Sequence, residues 1–282
     1  MTSTHKTPRE KKTEERTKQE EGRPEVSGGS KSEAPSADLG ALRKVVRYLP
    51  MPLFLGLVCL ALYLWVSSLE LDAIEARTIN QEYIIARMME HLWLTGAATV
   101  VIVVLAVTFG VMLTRPVMGR VAPTIASIAA LGQATPSIGV LVLIAILLGR
   151  FGFNAALFGL VIYAFLPVLR NTMVGLQQVD KSVIEAGRGM GMTKTAVLFR
   201  IELPLAIPVM LAGIRTALII VVGTATVATF INAGGMGDMI TNGIKLRREP
   251  VLITSAVLTA VLALSIDYLA GIAEDILRPK GL

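Results

Sequence analysis

Past residue 50 the chain is a series of long apolar runs separated by shorter polar joints. Each run is about 18–25 residues, enough for a helix to cross the ~30 Å hydrocarbon layer of a bilayer. The pattern predicts an all-α membrane protein with six transmembrane helices. Pro52–Leu69 is the first span, about 27 Å long as a helix. Leu92–Thr114 is the second, closed by Arg115-Pro116. Val121–Leu148 is the third and holds Gln133, Thr135, Pro136 and Ser137 midway. A tight turn at Arg150-Phe151-Gly152 leads to Ala155–Leu169, then Leu205–Ile231 and Val251–Ile272 follow.

The joints differ in kind. Glu70–Glu90 is acidic and mixed, Asn232–Pro250 is a second outer segment, and 170–203 is a polar, glycine-punctuated, basic loop. A loop lying in hydrocarbon would leave its backbone groups unpaired, so this one belongs in water. Arg43, Lys44 and Arg47 precede the first span and place the N-terminus in the cytoplasm. Six crossings return the C-terminus to the same side, together with Arg115, Arg120, Arg170, Lys181, Arg188, Lys194, Arg200, Arg278 and Lys280. Lys245, Arg247 and Arg248 fall on the opposite side, against the usual bias for basic residues inside.

Composition agrees with a membrane chain: 53% of residues are hydrophobic, 17% are charged, and mean hydropathy is +0.64. The net charge of +6 does not point to nucleic acid. Residues 1–40 carry eight basic and eight acidic side chains, so the excess lies beside the spans, where topology requires it. Those forty residues hold few large apolar side chains, and residues 1–48 read as a disordered cytoplasmic tail. No apolar core follows the start, which excludes a signal peptide reading. Cys59 stands alone, and His5 and His91 are far apart, so no disulfide framework or metal cluster is expected.

Gly189 to Thr195 looks superficially like a phosphate-binding loop. It lacks the required glycines and a preceding buried strand, so nucleotide hydrolysis is not expected of this chain. Glu185-Ala186 can begin a short helix; Gly187, Gly189 and Gly191 allow turns and close backbone approach. Met190 and Met192 offer adaptable apolar contacts. Leu203-Pro204 marks re-entry to the membrane, since proline suits the first turn of a helix. Arg215 and Asp267 are the charges set deepest in the spans, either near the cytoplasmic interface, where an arginine can snorkel, or serving in pairing or gating.

Glu185-Ala186-Gly187, three residues, Gly191, nine residues, then Ile201-Glu202-Leu203-Pro204 is similar to the signature of permease subunits of ATP-binding-cassette importers. Gly187 departs from it, a second alanine being commoner there. The resemblance extends over about residues 90–275, through Leu166-Pro167-Val168-Leu169-Arg170-Asn171-Thr172, Ala212-Gly213-Ile214-Arg215-Thr216-Ala217, Gly223-Thr224-Ala225-Thr226 and Ala233-Gly234-Gly235-Met236-Gly237-Asp238. These phrases resemble the osmoprotectant branch, which imports glycine betaine, carnitine, choline and related solutes.

The resemblance implies a five-helix type I permease core over 91–275, preceded by one extra N-terminal helix and extracytoplasmic segment at 49–90 and followed by a cytoplasmic C-terminus at 276–282. The 176–204 loop would be the coupling segment, with Glu185, Ala186, Gly187, Met190, Gly191, Met192, Leu203 and Pro204 engaging an ATPase subunit. Gln133, Thr135, Pro136, Ser137, Thr224 and Thr226 would line the translocation pathway. Gly234, Gly235 and Gly237, with Lys245, Arg247 and Arg248, would form the outer gate or the docking face for a substrate-binding protein. Implied partners are cytoplasmic ATPase subunits, that binding protein, a second permease subunit and membrane lipid. ATP and Mg would be bound by the ATPase, and no cofactor by this chain. The implied location is the bacterial cytoplasmic membrane.

Two other readings stay open on sequence: a permease for an amino acid or other small zwitterion, and an ATP-independent channel or secondary transporter. Secondary carriers often show internal repeats and midplane carboxylates. Here no repeat is evident. A quaternary ammonium is held by an aromatic cage, but Tyr163, Phe165 and Phe230 are scattered. Solute selection therefore falls to the binding protein.

Overall fold

A computed structural model describes residues 48–277. The readings placed on residues 1–47 and 278–282 lie outside that range. Among the described residues, the elements are helical throughout. In chain order they are α1 (Pro50–Ser67), α2 (Ala73–Thr78), α3 (Gln81–Leu113), α4 (Ala122–Ala134), α5 (Ser137–Leu148), α6 (Phe153–Gln177), α7 (Lys181–Gly189) and α8 (Lys194–Val197). A π turn (Leu198–Glu202), α9 (Leu203–Ala225), a 3-10 turn (Val227–Ile231), α10 (Met236–Lys245) and α11 (Glu249–Leu277) complete the order. Five helical stretches are long and apolar enough to cross a membrane, or six if the bent pair α4–α5 is one span.

The third expected span is therefore corrected. It is not one continuous helix but two, meeting at 105°. Pro136 forces the residue before it out of the helical region, and Thr135 is extended at φ −78°, ψ 142°. The second span also starts earlier than its hydropathy suggests, at Gln81 rather than Leu92. Asn80 caps it by accepting the Tyr83 N–H at 2.8 Å. Tyr83, Ile84 and Met88 on its polar-looking first turns pack against buried Met236, Met239 and Leu262. The boundary drawn at 90/91 thus falls inside α3. The sixth span likewise runs past Ile272 to Leu277.

At the centre stands α6, packed between α3 and α9. Small residues let the backbones close up, as they do between helices in lipid, where packing drives association. A Cβ on Gly213 would lie 2.9 Å from the Pro167 carbonyl oxygen, and one on Gly110 would lie 2.7 Å from the Thr172 methyl carbon. Leu94, Ile102, Leu141, Leu160, Leu169 and Val221 fill the core around this contact.

The first helix is set apart. Leu55 is its one buried residue, while Leu53 and Tyr63 are 68% and 70% exposed, an apolar surface suited to lipid. It packs on α11. An open apolar cavity of about 640 Å3, lined in part by Tyr63, Val66, Ile84 and Leu258, lies between it and the starts of α3 and α11.

Candidate functional site

At one end of the bundle, α7 projects as a short capped helix. Asp180 caps it, its carboxylate accepting the Ser182 N–H at 2.8 Å. That backbone bond, with help from the Ser182 hydroxyl, holds the Asp180 carboxyl below its ordinary range. The far end of α7 closes as a Schellman motif: the Met192 N–H donates to the Gly187 carbonyl at 3.1 Å, and the Gly191 N–H to the Arg188 carbonyl at 2.9 Å. Gly191 takes the left-handed conformation this requires, at φ +85°. Gly187 is buried, and a Cβ there would meet Ile201 Cδ1 at 2.7 Å. The two glycines, with three residues between them, thus have separate causes: a close approach and a positive φ.

What α7 leaves outward is Glu185, Ala186 and Val183, with Met190 76% exposed just beyond. Phe199 adds another exposed apolar side chain on the return path. Met192 is half-buried over the turn. Leu203 and Pro204, half-buried, begin α9 as expected. Pro204 has no N–H for the Arg200 carbonyl and its ring crowds that group, which accounts for the wide π turn just before it.

The turn's most buried charge lies within the signature, though not among the coupling residues that the resemblance implies. Glu202, 5% exposed, receives Arg115 Nη2 at 2.6 Å and Nη1 at 3.4 Å. Arg115 follows the end of α3, so this pair ties the loop's exit to another spanning helix. Its one sign in the sequence is a charged residue between Ile201 and Leu203 at the membrane boundary.

The opposite end carries a larger polar cluster. Arg87 on α3 pairs with Glu90 at 2.8 Å and with Asp238 on α10 at 3.0 Å. Its guanidinium lies 5.2 Å from the centre of the Tyr83 ring. The Thr229 hydroxyl donates to Asp238, and the Gly235 N–H donates to Glu90 at 2.9 Å. Gly234 and Gly235 have φ of +77° and +87°, and a Cβ on Gly237 would sit 2.0 Å from the Thr226 carbonyl oxygen. The predicted outer glycines therefore form the tight entry to α10. Buried His91, unassigned in the sequence reading, donates from Nε2 to the Val222 carbonyl at 3.2 Å, near where α9 gives way to the 3-10 turn.

One of the three cations set against the charge bias is paired here. Arg248 pairs with Asp72 and, at 3.9 Å, with Glu75. Asp72 is also the cap of α2, and its carboxyl is held below the ordinary range first by the Glu75 N–H, with Arg248 adding to this. Arg248 is thus engaged within the chain, while Lys245 and Arg247 remain exposed.

Between the ends, Arg215 and Asp267 form a two-bond fork at 2.6 and 2.9 Å, with Glu274 3.6 Å from Arg215. The two charges thus pair with one another across α9 and α11. The expected pathway residues are split. Gln133, Thr135, Pro136 and Ser137 make the elbow between α4 and α5, with Thr135 and Pro136 exposed. Thr226 is half-buried and bonds the Gly223 carbonyl at 2.7 Å. Thr224 is 8% exposed and packs inside the chain.

A helical loop at one end of a bundle of apolar spans, and a gated-looking polar cap at the other, define a polytopic membrane permease. The family described as binding-protein-dependent transport system inner membrane component matches residues 106–280, and the chain belongs to that family. A choline transport system permease protein, OpuBB of Bacillus subtilis, is 41% identical over 203 residues, covering 72% of this chain and 92% of its own length. The carnitine transport permease protein OpuCB of Listeria monocytogenes is 37% identical with the same coverage. Among solved structures, the MetNI methionine ABC transporter in an inward-facing conformation aligns with TM-score 0.62 at 24% identity, over 71% of this chain and 100% of that one. That last likeness speaks for the fold. The family match begins inside α3, so α1 and α2 lie outside it.

Proposed function

We propose that this chain is the membrane-spanning permease subunit of an ATP-binding-cassette importer for a small quaternary-ammonium solute of the betaine, carnitine or choline kind. The observation that carries the reading is the loop end: a capped, glycine-closed helix whose exposed Glu185, Ala186 and Met190 form a compact surface outside the apolar bundle. Its relatives of 37–41% identity named for choline and carnitine transport support the solute class. In this reading α7 docks in a groove on a cytoplasmic ATPase, which binds ATP and Mg, and α10 faces a solute-loaded binding protein outside. A second permease subunit completes the pathway, with Gln133, Thr135, Pro136, Ser137 and Thr226 on the side of each subunit that lines it. Lys245 and Arg247 meet the binding protein, tuning its rate of association more than its final affinity. Both termini are cytoplasmic, and α1 is an additional span anchored in lipid.

Motion of the ATPase pair is carried by the loop into rigid-body movement of the spans, giving alternating access. The chain's own residues form no covalent intermediate. The test is uptake by the reconstituted complex, with radiolabelled glycine betaine, carnitine, choline and amino acids offered in turn. ATP-dependent uptake of a quaternary ammonium solute is expected. Uptake of amino acids alone would move the solute class, and uptake by this chain without an ATPase would overturn the reading.

A further inference from the structure

We propose that α3 is a connecting rod between the two working ends of the permease, and that Glu202 is the positioning residue that engages it. The inference rests on the reading of α7 as the ATPase-docking helix and goes beyond it by naming what the loop moves.

α3 is 33 residues, about 50 Å as a helix, and contains no proline. Its neighbours α6 and α9 carry Pro167 and Pro208 in their interiors. An unbroken helix transmits displacement along its axis, whereas an internal proline gives a point of bending. Each end of α3 is held by an ion pair to the segment that would have to move. At the loop end Arg115 grips Glu202, which closes the π turn leading from α8 into α9. At the other end Arg87 grips Asp238 on α10, and Glu90 holds the Gly235 N–H at the hinge before it.

The loop-end pair is the informative one. Glu202 is buried, and a buried carboxylate is tolerated only with a close, well-directed partner. Its fork with Arg115 fixes direction as well as distance. A π turn is a register change within a helix and a frequent mark of functional positions. Placing the carboxylate on that turn means that a change in turn geometry pulls on α3. Ile201, its neighbour, lies against Gly187 of α7, so displacement of α7 reaches the turn by direct packing.

The chain of contact therefore runs α7, Ile201, Glu202, Arg115, α3, Arg87, Asp238, α10. Spatial continuity alone does not demonstrate coupling, so the test must measure the coupling itself. In the assembled importer with its ATPase and binding protein, Glu202→Gln keeps the shape and removes the charge. The expected result is solute moved per ATP hydrolysed falling about fivefold or more, the low end of a usual coupling factor, with ATPase subunits recovered at wild-type levels. Arg115→Gln should do the same, and it supplies the measurement if the Glu202 variant is absent from the membrane. The exchanged pair, Arg115→Glu with Glu202→Arg, should recover part of the ratio. A merely structural pair would lower membrane abundance or the thermal midpoint and leave the transport-to-hydrolysis ratio intact. That outcome overturns the proposal. Glu185→Lys separates the two levels: wild-type ATPase recovery and hydrolysis with that variant would defeat the docking reading itself, whatever Glu202→Gln does.

Discussion

The two ends of the bundle are ordered by different means. At the loop end the structure is mostly local. Asp180 caps the helix that follows it, Gly191 ends that helix, and Pro204 starts the next. At the opposite end the order is long-range: Arg87 reaches Asp238 across 151 residues, and Glu90 reaches Gly235 across 145. A surface that must dock on a partner can be prebuilt from short-range motifs. A closure that must open is better made from separable contacts between distant segments, because each can break without unfolding the element that carries it.

The largest effect should come from the long-range end. Gly237→Ala puts a Cβ against a backbone oxygen, which no rotamer can relieve, and should cost about 3 kcal/mol. A thermal midpoint for the purified permease in detergent will show it, and an unchanged midpoint would mean that the turn before α10 is looser than the structure indicates. Next is Asp267→Asn, which leaves Arg215 without its charged partner in a span. Both side chains are partly exposed, so the expected cost is about 1–2 kcal/mol rather than that of a fully buried pair.

Gly191→Ala should come third, costing about 1–2 kcal/mol for an L-residue forced into the left-handed region. Here the comparison predicts a localised result: faster proteolysis or amide exchange over 181–197, with the spans unchanged. The smallest effect is that of Asp180→Ala, an exposed cap. Because the folded carboxyl sits below its usual range, its contribution is full above the unfolded value near ~3.9 and fades as pH falls through the folded one. Acidification and the substitution should therefore loosen α7 in the same sense, seen as faster exchange of the Ser182 amide.

This difference between the ends also explains what could be read in advance. The spans and the loop were legible because apolar run length, proline position and glycine spacing are local quantities. Pro136 marked a break, but its 105° angle depends on what α4 and α5 pack against. The first three turns of α3 are not legible as part of the span because charges interrupt their apolar residues: Glu82, Arg87 and Glu90 alternate with Tyr83, Ile84 and Met88, which are stabilised by α10 and α11, remote in sequence. Arg248 stands against the charge bias, and its partner Asp72 is too remote in the chain for any spacing to supply. Glu202 sat inside a motif recognised for its apolar and glycine positions, and its role depends on Arg115, whose approach no spacing rule supplies.

The central claim is that the 181–191 surface meets the ATPase and the α10 end does not. Site-directed crosslinking in a Cys59→Ala background tests this directly. Met190→Cys and Ile244→Cys are each exposed and lie on the two segments being compared. Met190→Cys should crosslink to the co-expressed ATPase subunit and react with reagents from the cytoplasmic side, whereas Ile244→Cys should do neither. Crosslinking of Ile244→Cys to the ATPase, or labelling of Met190→Cys only from outside, would contradict the account.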